Sequence, residues 1–143
     1  MKKRLFLKEP ANWRGLFMIE LLKLHHVSLA IRDLEASKRF YGGILGLPEI
    51  DRPAFRFPGA WYALGDRQMH LIQEPSGARE SAQRLSRSDH MALEVADVGA
   101  VRKLLSAHGI EFSESGNPSL GMDQIFCLDP DGHVIEFASY VTK

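Results

Sequence analysis

The hydrophobic pattern of this chain changes period several times, and the changes come in the same order twice. From Leu24 to Ile31 apolar and polar residues alternate, placing Val27, Leu29 and Ile31 on one side of a predicted strand and His26, Ser28 and Ala30 on the other. Asp33 then stands where a helix N-cap belongs. Leu34, Ser37, Phe40, Tyr41 and Ile44 recur at helical spacing until Gly46 stops the helix. Strands are predicted near 60–64 and 68–74, around a Gly65-Asp66 turn. The second half predicts a strand over 90–96, a cap at Asp97, a helix over 98–107 and a stop at Gly109. Strands near 110–114, 122–128 and 133–140 complete it. Asp129-Pro130-Asp131-Gly132 is a strong turn signal between the last two, because proline presets φ and glycine accepts positive φ.

The two halves can be laid on one another. HVSLAIRDLEASKRFY (26–41) lies over HMALEVADVGAVRKLL (90–105), an offset of 90 − 26 = 64 residues. The closing segments match as well, 62–72 over 126–138, if the second copy carries two more residues in its turn. A period this long is wrong for a solenoid. It reads as one supersecondary unit duplicated, over 22–75 and 89–141, with a polar linker at 76–88. Residues 1–21 stand outside the repeat as an N-terminal extension, and Met18 offers an alternative start.

Composition narrows the class of partner. The 143 residues fit one domain, and 18 basic side chains balance 18 acidic ones, so no general field favours nucleic acid or an anionic membrane. Cys127 is the only cysteine, which rules out an intrachain disulfide or a cysteine zinc site. Its apolar neighbours predict a small buried side chain. Lys2, Lys3 and Arg4 look like the start of a secretion signal, but Lys8, Glu9 and Arg14 interrupt any apolar core behind them. The expectation is a cytoplasmic protein that binds a small molecule.

Strand parity selects the candidate chemistry. His26 and His90 occupy matching positions on the first strand of each repeat and point away from the helix-facing apolar residues. His70 shares a face with Gln68 and Ile72 on the last strand of the first repeat, and Glu136 shares one with Val134 and Ala138 on the last strand of the second. A lone histidine in a strand is more often a surface or hydrogen-bonded core residue. Four ligand-type residues at repeat-matched positions point instead to one divalent ion, Zn, Ni, Co, Mn or Fe, held where two curled sheets converge. His25 has the opposite parity and reads as structural. His108 ends a helix, where a cation suits the dipole, and His133 follows a tight turn and should be exposed. Arg52, Arg56, Trp61 and Tyr62 are placed at the mouth of the cup, and Gln124 in the substrate pocket. Arginine forks carboxylate or phosphate groups and tryptophan offers a flat wall, although a surface or core role would also account for them.

The segment 24–47, LHHVSLAIRDLEASKRFYGGILGL, resembles the opening of vicinal oxygen chelate proteins, and 129–137, DPDGHVIEF, resembles their closing motif. The resemblance covers 22–141. This superfamily includes glyoxalase I, methylmalonyl-CoA epimerase, fosfomycin-resistance thiol transferases, extradiol dioxygenases and bleomycin-resistance proteins. Segment 52–72 further resembles a glyoxalase-like branch of bacteria and plants. The resemblance implies an α+β fold in which two tandem βαβββ modules form curved mixed sheets around a metal or ligand cup. It also implies a homodimer, since such cups are often completed by pairing modules. His26, His90 and Glu136 match three metal-ligand positions of catalytic members, and His70 matches the fourth, where glyoxalase I and the epimerase place glutamate or glutamine.

A glyoxalase-like lyase or isomerase would chelate a small carbonyl substrate and stabilise its enolate, with Glu136 as the proton-transferring base. The alternatives are a ligand-sequestering module of the bleomycin-resistance kind and an Fe(II) dioxygenase using His26, His90 and Glu136. A fourth ligand at His70 leaves less room for oxygen in the latter.

Overall fold

The computed structural model of the chain describes residues 21–74, 89–117, 119 and 121–140. The predicted linker at 76–88, and the N-terminal extension up to residue 20, lie outside them. Eight strands and two helices follow the predicted order: β1 (His26–Ile31), α1 (Leu34–Lys38), β2 (Glu49–Ile50), β3 (Gly59–Leu64), β4 (Arg67–Gln73), then β5 (Met91–Glu94), α2 (Val98–Ala107), β6 (Phe112–Asn117), β7 (Met122–Leu128) and β8 (Val134–Tyr140). They form two four-stranded sheets, ordered β1-β4-β3-β2 and β5-β8-β7-β6. In each sheet the first strand runs parallel to the last, and the other pairs are antiparallel. The duplication read from the sequence is therefore a duplication of topology.

Both helices begin as their caps predict. The Asp33 carboxylate accepts from Ala36 N at 3.0 Å, and that of Asp97 accepts from Gly99 N at 2.7 Å. The first helix then departs from expectation, because its second part, Arg39–Ile44, widens into a π-helix that ends with Leu45 N bonded to Phe40 O. Gly42 lies inside the widened turn, where an added Cβ would meet the Tyr62 ring at 3.3 Å, so close approach of helix to sheet depends on glycine there. The two-residue strand β2 completes the βαβββ unit that the resemblance implies, although the periodic pattern shows no sign of it. It is too short to display a period, and only its pairing of Glu49 with Tyr62 and Ile50 with Trp61 makes it a strand.

The helix-facing sides of both sheets share one core, in which Tyr41, Tyr62, Met69 and Leu71 of the first module cluster with Leu105, Ile125, Cys127 and Ile135 of the second. Cys127 is fully buried, as its neighbours predicted. Tyr62 is buried too, which corrects its placement at the cup mouth. It follows Trp61 on one strand, and adjacent strand residues face opposite sides.

A hydrogen-bonded latch joins the modules. Asp129 closes the turn before β8 by accepting from Asp131 N at 2.9 Å and His133 N at 2.8 Å, while its other oxygen accepts from the buried Tyr41 hydroxyl at 2.7 Å. Asp131 accepts from Arg32 N at 2.9 Å. The His133 ring donates to Ala30 O at 2.8 Å, so His133 is half-buried against β1 rather than exposed. The turn of the second repeat is thus bonded to the strand–helix junction of the first. No helix among the described residues is long and apolar enough to cross a membrane.

Two stability outcomes follow from this core. Tyr41→Phe removes one donor from a buried carboxylate and should cost about 1–3 kcal/mol in urea denaturation. A change near zero would mean that the latch carries no weight. The second concerns alkaline pH. Burial, aided by Asp129, holds the Tyr41 phenol well above its ordinary 10.0, and burial raises Tyr62 and Cys127 to about 12 each. The folded chain keeps these protons when the unfolded chain sheds them. Their contribution is complete below the ordinary thiol value of 9.0 and is lost as pH rises from there towards about 12. Urea midpoints should fall steadily above pH 9, and a flat profile between pH 9 and 11 would show that these groups are not shielded.

Candidate metal centre

Register brings the first pair of candidates together. β1 and β4 run parallel with His26 opposite Gln68 and Ser28 opposite His70, so the two histidines sit one row apart on the face turned away from the helix. Their rings stack with centroids 4.2 Å apart. On the far side of His70, Trp61 of β3 stands directly opposite in the antiparallel ladder and stacks at 3.9 Å, almost parallel. His70 is buried in this stack and donates Nε2–H to Gln68 Oε1 at 2.9 Å. Burial holds its imidazole below the usual histidine range, with the charges of His26, His25 and Arg52 adding to the effect.

The second pair repeats the plan. β5 and β8 run parallel with Ala92 opposite Glu136, so His90, two residues before Ala92, stands to Glu136 as His26 stands to His70. His90 Nε2 lies 2.7 Å from Glu136 Oε2, and Glu136 is only 4% exposed. Its other oxygen, Oε1, accepts from the Gln124 amide at 2.6 Å. An open cavity of about 570 Å³ lies over this pair, lined by Asn117, Gln124, Phe126 and Tyr140 among others.

The four predicted ligands therefore stand as two pairs, each on the outward face of its own sheet. Among the described residues no three His, Cys, Asp or Glu side chains gather at ligand spacing. A larger groove of about 690 Å³ lies on the helix side between β5, α2 and the β3–β4 turn. It is mainly apolar and contains none of the four, so its size does not make it the site of chemistry.

The remaining pocket candidates divide between the pairs. Gln124 belongs to the second pair, where it holds Glu136. Trp61 belongs to the first, and Arg52 lies near enough for its charge to act on His70. Trp61 backs His70, Arg56 is exposed, and Arg52 lies on the connection between β2 and β3, donating to Phe57 O at 2.7 Å. Four residues around the first pair were not singled out as part of the site by the sequence. His25, set aside as structural, is exposed and shares a 2.8 Å hydrogen bond with His26, Nδ1 to Nδ1. Gln68 shows the parity of His70 but carried no other signal. Phe55 and Phe57 lie in an aperiodic stretch, stack on each other at 5.1 Å, and place Phe55 6.1 Å from Trp61.

Comparison with known proteins agrees with the fold. Residues 23–137 match the Glyoxalase/Bleomycin resistance protein/Dioxygenase superfamily. The chain is similar to Glyoxylase I 4 of Arabidopsis thaliana, 30% identical over 126 residues that make up 85% of this chain and 72% of that protein. It is similar also to lactoylglutathione lyase of Haemophilus influenzae, 24% identical over 81% of this chain and 91% of that one. A glyoxalase/dioxygenase from Nostoc punctiforme superposes with a TM-score of 0.75 at 22% identity, covering 90% of this chain and 98% of its own, which speaks for the fold. With its duplicated βαβββ topology and a match spanning both repeats, the chain belongs to the glyoxalase/bleomycin resistance/dioxygenase superfamily, the vicinal oxygen chelate proteins.

Proposed function

We propose that the protein is a metal-dependent lyase or isomerase of the glyoxalase type, acting on a small carbonyl substrate. The observation that carries this reading is the pairing of His26 with His70 and of His90 with Glu136 at equivalent places in the two repeats. A binding cup without chemistry has no need of a buried carboxylate against an imidazole. Three neutral imidazoles and one carboxylate suit a borderline divalent ion such as Zn, Ni, Co, Mn or Fe. Either pair alone offers two donors, too few for such an ion. The set is completed when the first pair of one protomer meets the second pair of its partner across a two-fold axis, in a homodimer.

An ion held by these four residues would supply Lewis acidity that acidifies the carbon beside a chelated carbonyl. The chain's own part is to move the proton. Glu136 is the one carboxylate in the set and, with Oε2 released from the ion, would take the α-proton there and return it to the neighbouring atom; were it to stay bound, water or His70 would serve instead. Gln124 keeps Oε1 occupied, which fixes the carboxylate plane and directs Oε2 towards His90. Trp61 holds His70 in place by stacking. Similarity to a glyoxylase and a lactoylglutathione lyase supports the lyase class.

Glu136→Gln should keep the fold and lose about 10²–10⁴-fold in turnover. The first assay is the hemithioacetal of methylglyoxal, followed by acyl-CoA epimerisation and oxygen uptake with catechols. Metal content is measured beside each rate, because removing the charge also weakens a ligand. Full activity of Glu136→Gln at unchanged metal content would assign the proton to another group. His26→Ala should lose metal and turnover together. Ligand binding by metal-stripped wild type, without turnover on any of these substrates, would favour a sequestering module.

Assembly has its own measurement. Light scattering at micromolar concentration should return twice the chain mass. A monomer would leave the donors in two separate pairs and overturn the shared site.

A further inference from the structure

Arg52 stands in an unusual position beside the first pair. Its guanidinium lies 5.0 Å from the Phe55 ring centroid and 4.9 Å from that of Phe57, and one nitrogen is tied to Phe57 O. It packs against Gly59, where an added Cβ would come within 3.3 Å of Nε and 3.4 Å of Cζ. Two rings and a backbone carbonyl thus hold this cation beside Gly59, a position whose lack of a side chain is required first by the Leu71 carbonyl of the neighbouring strand. Yet Nε–H is buried without an acceptor, and among the described residues no carboxylate pairs with the guanidinium. Nε itself is closed off by protein, so what faces a ligand is the rest of the half-buried guanidinium, a held cation whose charge no described carboxylate meets.

Its place in the sheet says what would complete it. Gly59 precedes Trp61 by two residues on β3, and Trp61 stands opposite His70, so Arg52 is seated one row from the first metal-ligand pair. Two residues along a strand span about 7 Å. A substrate chelated at the ligand row could reach that row with a group two or three bonds beyond its chelated carbonyl carbon. Guanidinium matches an oxyanion in both charge and geometry.

We infer that Arg52 selects the substrate of this site, and that the substrate is a small carbonyl compound bearing a terminal oxyanion, a carboxylate or a phosphonate, two to three bonds from its chelated carbonyl carbon. This rests on the reading of the site as a metal centre, and the test separates the two. The probes are acetohydroxamate and succinohydroxamate, which share one chelating head of two neighbouring oxygens and differ in a terminal carboxylate. Binding to zinc-loaded wild-type protein is measured by calorimetry, with proton–nitrogen correlation spectra reporting the Arg52 Nε–H resonance, assigned by its loss in Arg52→Lys.

Succinohydroxamate should bind about tenfold to a hundredfold more tightly than acetohydroxamate, the range of a charge-assisted hydrogen bond, and it alone should shift the Arg52 resonance. Arg52→Gln should abolish that preference with acetohydroxamate affinity unchanged, whereas Arg52→Lys, which keeps the charge and loses the fork, should retain part of it. Equal affinities in the wild type, or a preference that survives in Arg52→Gln, would overturn the inference. Should Arg52→Gln fail to fold, the wild-type affinity ratio and resonance shift decide alone. Should the protein take up no divalent ion, the metal reading fails by itself. Arg52 is then tested in that metal-free protein with succinate, where a shifted resonance supports an oxyanion seat and a silent one overturns it.

Discussion

The Asp129 carboxylate is the constraint on which the arrangement of this protein depends. One of its oxygens closes the Asp129-Pro130-Asp131-Gly132 turn, and the other receives the Tyr41 hydroxyl from the opposite module. Burial pushes its carboxyl group above the usual carboxylate range, against the pull of Tyr41, of the His133 charge and of the turn's own N–H groups. A carboxylate so buried is tolerable only with its bonds made, so the turn can form in one orientation relative to β1 and α1. Asp131 and His133 extend the same seam to Arg32 and Ala30. The modules are thereby set side by side with their helix-facing sides in one core and their ligand-bearing faces outward.

That orientation explains why the four ligand-type residues are divided. Each sheet has a core side committed to Tyr62, Met69, Leu71 or Ile125, Cys127, Ile135, and the opposite side carries His26 and His70, or His90 and Glu136. Among the described residues the two outward faces of one chain do not close on one ion. A two-fold axis can bring them together, and it would pair a histidine half with a histidine–glutamate half twice over. The division of labour between halves also differs. The first has an aromatic backing in Trp61, Phe55 and Phe57 with Arg52 held among them, while the second has amide support from Gln124 and an open cavity. In this arrangement the first half would orient the substrate and the second would move its proton.

Much of this was present in the sequence because duplication states its structural rules twice. The alternation over 24–31 and 90–96, the two aspartate caps and the 64-residue offset predicted both modules, and parity put His26, His70, His90 and Glu136 on outward faces with no knowledge of contacts. What escaped the local pattern has physical causes. β2 is two residues long and exists only through its partner. His133 and Tyr62 were misplaced because a turn and an adjacent pair were read locally, whereas a bond to Ala30 O and the sheet's second face decided them.

The sequence by itself determined the class of fold, the family and the identity of the candidate ligands, because each follows from local periodicity, repeat spacing and motif chemistry. Tertiary structure alone decided that those ligands stand in two pairs, that Gln124 supports Glu136, and that Arg52 is fixed near His70 over Gly59 without a counter-ion. The physical reason is the same in each case. These are relations between side chains on different strands, set by sheet register and by the latch at Asp129, and no periodicity along one chain encodes a distance across two sheets.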